Sequence, residues 1–134
     1  MKKITLAIFI FSSYLAISQK ISTFDIVKIN AKYEKEAMYF YEQNWLAFRK
    51  EALKQKVISG YEMYRSPADT THHFDLTLIT IYKNEKAFKV SEEKFRLIMK
   101  AISPDGPKYL NEVRRDQFLK YIAGSEGKLI HPKK

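Results

Sequence analysis

Hydrophobic and polar positions first alternate along this chain and then change to a helical period. Residues 23–31 read TFDIVKINA, with Val27, Ile29 and Ala31 on one side of the alternation, which predicts a strand. From Tyr33 onward, apolar residues recur at steps of three and four, as on one face of a helix. These positions are Met38, Tyr41, Trp45, Phe48 and Ala52. Because no Gly or Pro interrupts the run before Gly60, the first helix is predicted from about Tyr33 to Lys56.

The middle of the chain predicts two further strands. Residues 57–65, VISGYEMYR, form the second, and residues 74–83, FDLTLITIYK, form the third. The segment between them contains Pro67 and Asp69, which favour a turn.

The last third predicts a second helix and a final strand. Asn84 is the expected N-cap, and apolar residues continue at helical spacing as far as Ile102, where SPDGP ends the helix. KYLNEVRR, residues 108–115, is expected to add a short helical turn. DQFLKYIA, residues 116–123, predicts the fourth strand, and residues 124–134 are expected to form a polar basic tail.

The order β-α-β-β-α-β is that of the ferredoxin-like, or split βαβ, arrangement. It predicts an α+β fold with a four-stranded antiparallel sheet and two helices on one face. The third strand is apolar on both sides, with Leu78 on one side and Ile79 on the other. Because two helices cover only one face of the sheet, the other face would expose an apolar patch that something else must cover.

Several residues match a known pattern. Tyr33-Glu34 opens the first helix, Trp45 lies midway along it, residues 60–64 read GYEMY, and residues 74–84 read FDLTLITIYKN. In these features the stretch from Phe24 to Ala123 resembles the dimeric α/β-barrel superfamily, especially its small, mostly uncharacterised secreted bacterial members. The resemblance implies a homodimer in which two sheets pair face to face as a dimeric α/β barrel. It leaves the activity open, because one fold hosts many functions.

The N-terminus predicts export. Lys2 and Lys3 precede a stretch without charge from Ile4 to Gln19, and Ala16-Ile17-Ser18 places small residues at the positions that a signal peptidase reads. The apolar core is shorter than the roughly 20 residues of a membrane span and is interrupted by serines. Residues 1–18 are therefore predicted to be a cleaved signal peptide, leaving no transmembrane segment. The mature protein is expected in the periplasm or outside the cell.

Composition narrows the chemistry of the mature chain, in which residues 19–123 are predicted to form one domain. The absence of cysteine excludes disulfides, thiolate nucleophiles and cysteine metal sites. The net charge of +9 becomes +7 when Lys2 and Lys3 are removed with the signal peptide. A basic surface could meet an anionic partner. Export and a third strand without glycine argue against RNA binding, so no nucleic-acid partner is predicted.

The pair His72-His73, in SPADTTHHFD, is predicted to be the polar end of a hairpin. Adjacent residues of a strand point to opposite faces, so the two rings would not ligate one metal. The haem-degrading enzymes of the superfamily use an Asn, a Trp and a histidine on the second helix. Asn30 and Trp45 supply the first two types, but the second helix contains no histidine. No metal site, cofactor or catalytic residue is predicted.

An aromatic and cationic set supplies the candidate binding residues. Trp45, Tyr61 and Tyr64 combine flat apolar area with a polar group, as binding pockets often do. Arg49 offers a cation for an anionic ligand, and Asn30 offers a polar group. Trp45 is expected to be packed core, with the two tyrosines reaching any cavity. The preferred hypothesis is a non-enzymatic small-ligand-binding or structural dimer. The alternative is a cofactor-independent monooxygenase-like enzyme that acts on a small organic substrate, with Asn30 and Trp45 in one pocket.

Overall fold

The structure, a computed structural model, describes residues 19–130, so the predicted signal peptide lies outside the described residues. Four antiparallel strands form one sheet in the order β2-β3-β1-β4. The strands are β1 (Ile21–Asn30), β2 (Gly60–Arg65), β3 (His73–Tyr82) and β4 (Leu119–Lys128). With the helices described next, the predicted element order is confirmed.

The first predicted helix is one helical run with an irregular centre. After a short 3₁₀ turn (Ala31–Tyr33), it consists of α1 (Glu34–Phe40), a π-helical segment (Tyr41–Leu46) and α2 (Ala47–Lys54). The second predicted helix is divided at Val90 into α3 (Glu85–Lys89) and α4 (Ser91–Ile102). Asn84 caps α3 as predicted, because its side chain accepts a hydrogen bond of 2.8 Å from the backbone N–H of Ala87.

None of the helices between residues 19 and 130 has the length and apolar character that crossing a membrane requires.

The alternation along β3 assigns the two faces of the sheet. Phe74, Leu76 and Leu78 are buried under the helices, where they pack with Phe40 and Tyr41 of the helical run. Ile79 points the other way. The cross-strand register places β1, β2 and β3 residues with it on the face that the helices do not cover, which we call the open face. Its apolar centre consists of Phe24, Ile26, Ile79 and Ile81, all half-buried.

The C-terminal region differs from the prediction in three respects. Residues 108–114 are a turn rather than a helical turn, with Asn111 and Glu112 in left-handed backbone conformations. The helical turn comes later, as α5 (Arg115–Phe118), because burial of Phe118 in the core favours a helix over the start of a strand there. The fourth strand then continues to Lys128 rather than ending at Ala123, so residues 124–128 are not part of a tail.

The extension of β4 had no signal in the side-chain pattern. Its residues are mostly exposed, because β4 is an edge strand that pairs only with β1. Backbone hydrogen bonds to β1 hold it irrespective of side-chain polarity. Gly127 suits this position because a Cβ there would lie only 3.3 Å from the ring of Phe24.

A β-bulge in β4 decides which of its side chains face the helices. Ile26 pairs with Ala123 and Val27 pairs with Tyr121, so Ile122 has no partner on β1. In a regular strand, residues three apart point to opposite faces. The bulge brings Tyr121 back to the face of Gly124, where its hydroxyl lies directly over the glycine.

Candidate ligand-binding site

A cavity of about 380 Å³ lies between the first helical run and the covered face of the sheet. Such a volume is within the usual range for small-molecule sites, about 300–1,000 Å³. The cavity is bounded by the π-helical segment and α2 on one side and by β1, β3 and β4 on the other. It is lined by Asp25, Val27, Phe40, Tyr41, Asn44, Trp45, Phe48, Arg49, Leu78, Met99, Pro107, Arg115 and Tyr121.

Three residues of the π-helical segment line the cavity: Tyr41, Asn44 and Trp45. Segments of this kind are rare and occur frequently at functional sites. The buried Asn44 amide donates hydrogen bonds of 2.7 and 2.9 Å to the carbonyls of Phe40 and Lys108, and its oxygen accepts one of 2.9 Å from the Lys108 N–H. Asn44 therefore fixes the turn after α4 to the helical run and closes that end of the cavity.

Arg49 is held in a fixed position by three contacts. Its guanidinium lies 4.9 Å from the ring centroid of Trp45 and 4.4 Å from that of Phe95. Its Nε donates a 3.0 Å hydrogen bond to the hydroxyl of Thr80, a buried polar residue of β3. Trp45 is held in turn by an edge contact with Tyr61, with ring centroids 6.1 Å apart. Arg49 and Trp45 are therefore both held in place at the cavity wall by their aromatic neighbours.

The sheet side of the cavity carries a second polar group of side chains. Asp25 occupies a position on β1 that faces the helices, in register with the buried Leu78. A Cβ on Gly124 would overlap the Tyr121 hydroxyl and lie 2.9 Å from Asp25 Oδ1, so only glycine allows both groups to approach this point. Arg115, at the start of α5, lies on the same wall.

Burial shifts the pKa of two cavity residues, Tyr41 and Arg49. Burial raises the pKa of the Tyr41 phenol, with the Asp25 carboxylate adding to this shift and Arg115 opposing it. Tyr41 is therefore a neutral hydroxyl at physiological pH. Burial lowers the pKa of Arg49, and Tyr82 and Asp25 oppose that shift. A guanidinium still keeps its proton at neutral pH, because its ordinary pKa is so high.

The structure divides the five predicted site residues between the two faces of the sheet. Trp45 and Arg49 line the cavity, and Tyr61 packs against the edge of Trp45 without lining it. Tyr64 lies on the open face, 56% exposed, and donates a 2.6 Å hydrogen bond to Glu62. Asn30 is also on the open face, where its side chain accepts from the Lys32 N–H at 3.0 Å.

Three expectations are corrected by this arrangement. Trp45, expected to be packed core, is half-buried and forms part of the cavity wall. Tyr61 and Tyr64, expected to reach a cavity, point to opposite faces because residues three apart on a regular strand do so. Asn30 and Trp45 also lie on opposite sides of the sheet, so the shared pocket that would have favoured the monooxygenase-like alternative is not formed by these two residues.

Sequence reasoning missed most of the polar wall. Asp25 could have been identified, because it is an acid on the side of β1 where the apolar residues Val27 and Ile29 face the helices. Asn44 and Arg115 could not, since their roles depend on the π-helical segment and on α5. Tyr121 depends on the bulge at Ile122, which alternation alone would not reveal.

The His72-His73 pair belongs to a turn. His72 has a left-handed backbone conformation (φ 59°) and precedes β3. The Asp69 carboxylate organises the turn by accepting from the Thr71 N–H at 2.9 Å, the Thr71 hydroxyl at 2.7 Å and the His73 N–H at 3.0 Å. These bonds hold the pKa of Asp69 well below its ordinary value. Between residues 19 and 130, no cluster of three or more His, Asp or Glu side chains is arranged to hold a metal ion.

Comparisons with known proteins bear on the fold. A dimeric ferredoxin-like protein of known structure, from an uncultured marine organism, is 10% identical to this chain. The match covers 87% of this chain and 100% of that protein, with a TM-score of 0.50. Together with the strand order and the helix placement, this likeness shows that the chain has a ferredoxin-like α+β fold, as predicted.

The other comparisons add no assignment. The de novo designed protein Foldit4 is 4% identical, with a match over 84% of this chain and 99% of that protein. Its TM-score of 0.36 is too low to indicate a shared fold. No protein-family model matches the chain, and no curated protein matches it in a sequence search.

Proposed function

We propose that this protein is a non-enzymatic small-ligand-binding domain and that the cavity beside Trp45 is its site. The observation that carries the proposal is the composition of the cavity wall. Apolar surface from Trp45, Phe48 and Leu78 faces a few converging polar groups, chiefly Arg49 and Asp25. That combination is typical of sites in which burial supplies affinity and a few polar contacts fix orientation.

Trp45 also supplies the test, because it is the only tryptophan of the chain. Its fluorescence is expected to change when a panel of small aromatic and aliphatic compounds is titrated into the protein. A compound that binds the folded state should also raise the midpoint temperature of unfolding.

Two substitutions on α4 provide a matched pair for this experiment. Met99 lines the cavity, whereas Leu97 on the same helix is 53% exposed and does not. Met99→Phe narrows the cavity and is expected to weaken binding at least several-fold, while Leu97→Phe leaves it unchanged. Equal affinities in the two variants would show that the ligand binds outside this cavity. A panel without any binder would count against the proposed ligand-binding function itself.

We further propose that the protein is a homodimer whose open faces pack against each other. The apolar centre of that face, with Phe24 and Ile79 paired across β1 and β3, supports this assembly because water contact with apolar area is unfavourable. The structural neighbour, described as a dimeric ferredoxin-like protein, lends the proposal further support. Dimerisation through the open face would leave the cavity on the helical side accessible.

We also propose that the protein is exported and that residues 1–18 are removed. The support for this proposal is the sequence of residues 1–18, with a basic start, an uncharged apolar stretch and small residues before Gln19. When the full chain is expressed in a Gram-negative host, the exported protein should have an intact mass that begins at Gln19. An exported fraction that keeps Met1 would contradict cleavage.

A further inference from the structure

Three charged side chains line the cavity, and they form no ion pair with one another or with other residues in the described part of the chain. They are Arg49, Arg115 and Asp25. Two guanidinium groups and one carboxylate leave the wall with one excess positive charge. Arg49 and Asp25 are half-buried and Arg115 is exposed, so water screens the charges of the first two less than that of Arg115.

Among the three charged side chains, Arg49 is the one best placed to bind an anion. Its Nε donates a hydrogen bond to Thr80, and its central carbon lies 4.9 Å from the ring centroid of Trp45 and 4.4 Å from that of Phe95. The remaining guanidinium donors have no hydrogen-bond partner among residues 19–130. The two ring contacts and the Thr80 hydrogen bond restrain the guanidinium, whose terminal nitrogens are available for a bidentate contact with a carboxylate. Arg49 is half-buried, so water screens its charge less than that of a surface arginine, and an anion at its terminal nitrogens would be favoured.

The geometry points to the ligand class: a small monocarboxylate with a flat apolar body, whose carboxylate binds Arg49 and whose body packs against Trp45, Phe48 and Leu78. The inference rests on the proposed ligand-binding function and names its chemistry. Asp25 sets the charge preference, because its carboxylate cancels one of the two guanidinium charges and opposes a second negative charge on the ligand. The neutral hydroxyl of Tyr41 adds a hydrogen-bond donor at the same wall.

Benzoate and benzamide are the matched probes, because they share shape and apolar area and differ in charge. Calorimetric titration of the wild-type protein is expected to give at least tenfold tighter binding of benzoate. Arg49→Gln should abolish this preference, whereas Arg96→Gln, which removes an exposed guanidinium on α4, should retain it. Asp25→Asn should tighten benzoate binding severalfold and so raise the ratio of benzoate affinity to benzamide affinity.

The outcomes separate this inference from the proposed function. If benzamide binds as tightly as benzoate, the cavity binds ligands but the monocarboxylate assignment is wrong. If neither compound binds, the monocarboxylate assignment fails, whereas the proposed function fails only if the wider panel of compounds also contains no binder. Should Arg49→Gln not fold, Asp25→Asn decides: unchanged benzoate affinity in that variant overturns the assignment, and a selective increase supports it.

Discussion

Truncation of Trp45 distinguishes a cavity wall from a packed core. A fully buried Trp or Phe replaced by Ala loses roughly 3–5 kcal/mol of unfolding free energy. Trp45 is half-buried, with one part of its ring packed against the core and another at the cavity. Halving the loss gives about 2 kcal/mol for Trp45→Ala. About 1 kcal/mol of that is the edge contact with Tyr61, the usual magnitude for such aromatic pairs.

Phe74 is the control for this measurement, because its ring is 1% exposed in the same core cluster. Phe74→Ala is expected to lose about 4 kcal/mol, twice the effect at Trp45. Urea unfolding followed by far-ultraviolet circular dichroism measures both variants, since Trp45→Ala lacks the only fluorescent tryptophan. Equal losses at the two positions would show that no cavity adjoins Trp45. A loss at Trp45 below about 0.5 kcal/mol would show that the ring is not packed at all.

Three further predictions concern the open face and the turn before β3. Ile79→Arg is expected to convert the proposed dimer to a monomer by light scattering, because it places a charge in the apolar centre of the open face. Leu97→Arg on exposed α4 should leave the oligomeric state unchanged, and a wild-type monomer at micromolar concentration would refute the proposed assembly. Asp69 has a lowered pKa in the folded state, so its stabilising effect is present above its unfolded pKa of about 3.8 and is lost as the pH falls. Asp69→Asn should therefore lower the midpoint temperature at pH 7 and match the wild type progressively below pH 4; a constant difference would contradict the linkage. His72→Ala with His73→Ala should change the free energy of unfolding by less than about 1 kcal/mol. Elemental analysis of the wild-type protein should find no stoichiometric metal; equimolar metal in the wild type that the double variant lacks would reverse the assignment of this pair to a turn.

The fold was predictable because its elements carry strong periodic signals. The alternation in β3 and the three-four spacing from Met38 to Ala52 each correspond to burial on one face. Asn84 was predictable as a cap because its chemistry is local to the residues that follow it. The end of β4 was not, because an edge strand of exposed residues is held by its backbone and leaves no alternation to read.

The site was only partly predictable, because its residues meet through tertiary structure. Trp45 and Arg49 are one helical turn apart, so their proximity follows from the sequence. The opposite directions of Tyr61 and Tyr64 also follow from strand geometry and could have been predicted. The approach of Asp25 to Tyr121 requires the strand order and the bulge together, and neither is encoded in local pattern.

The exposed character of β4 has a consequence for access to the cavity. This strand contributes Tyr121 to the wall, yet most of its side chains are in water and it pairs with a single neighbour. Segments with few buried apolar contacts open locally at a small fraction of the global unfolding free energy. Amide hydrogens of β4 should therefore exchange with solvent faster than those of the central strands. The wall formed by β4 is then expected to open more often than the wall formed by β1 and β3, and a ligand of the proposed kind is expected to slow amide exchange in β4.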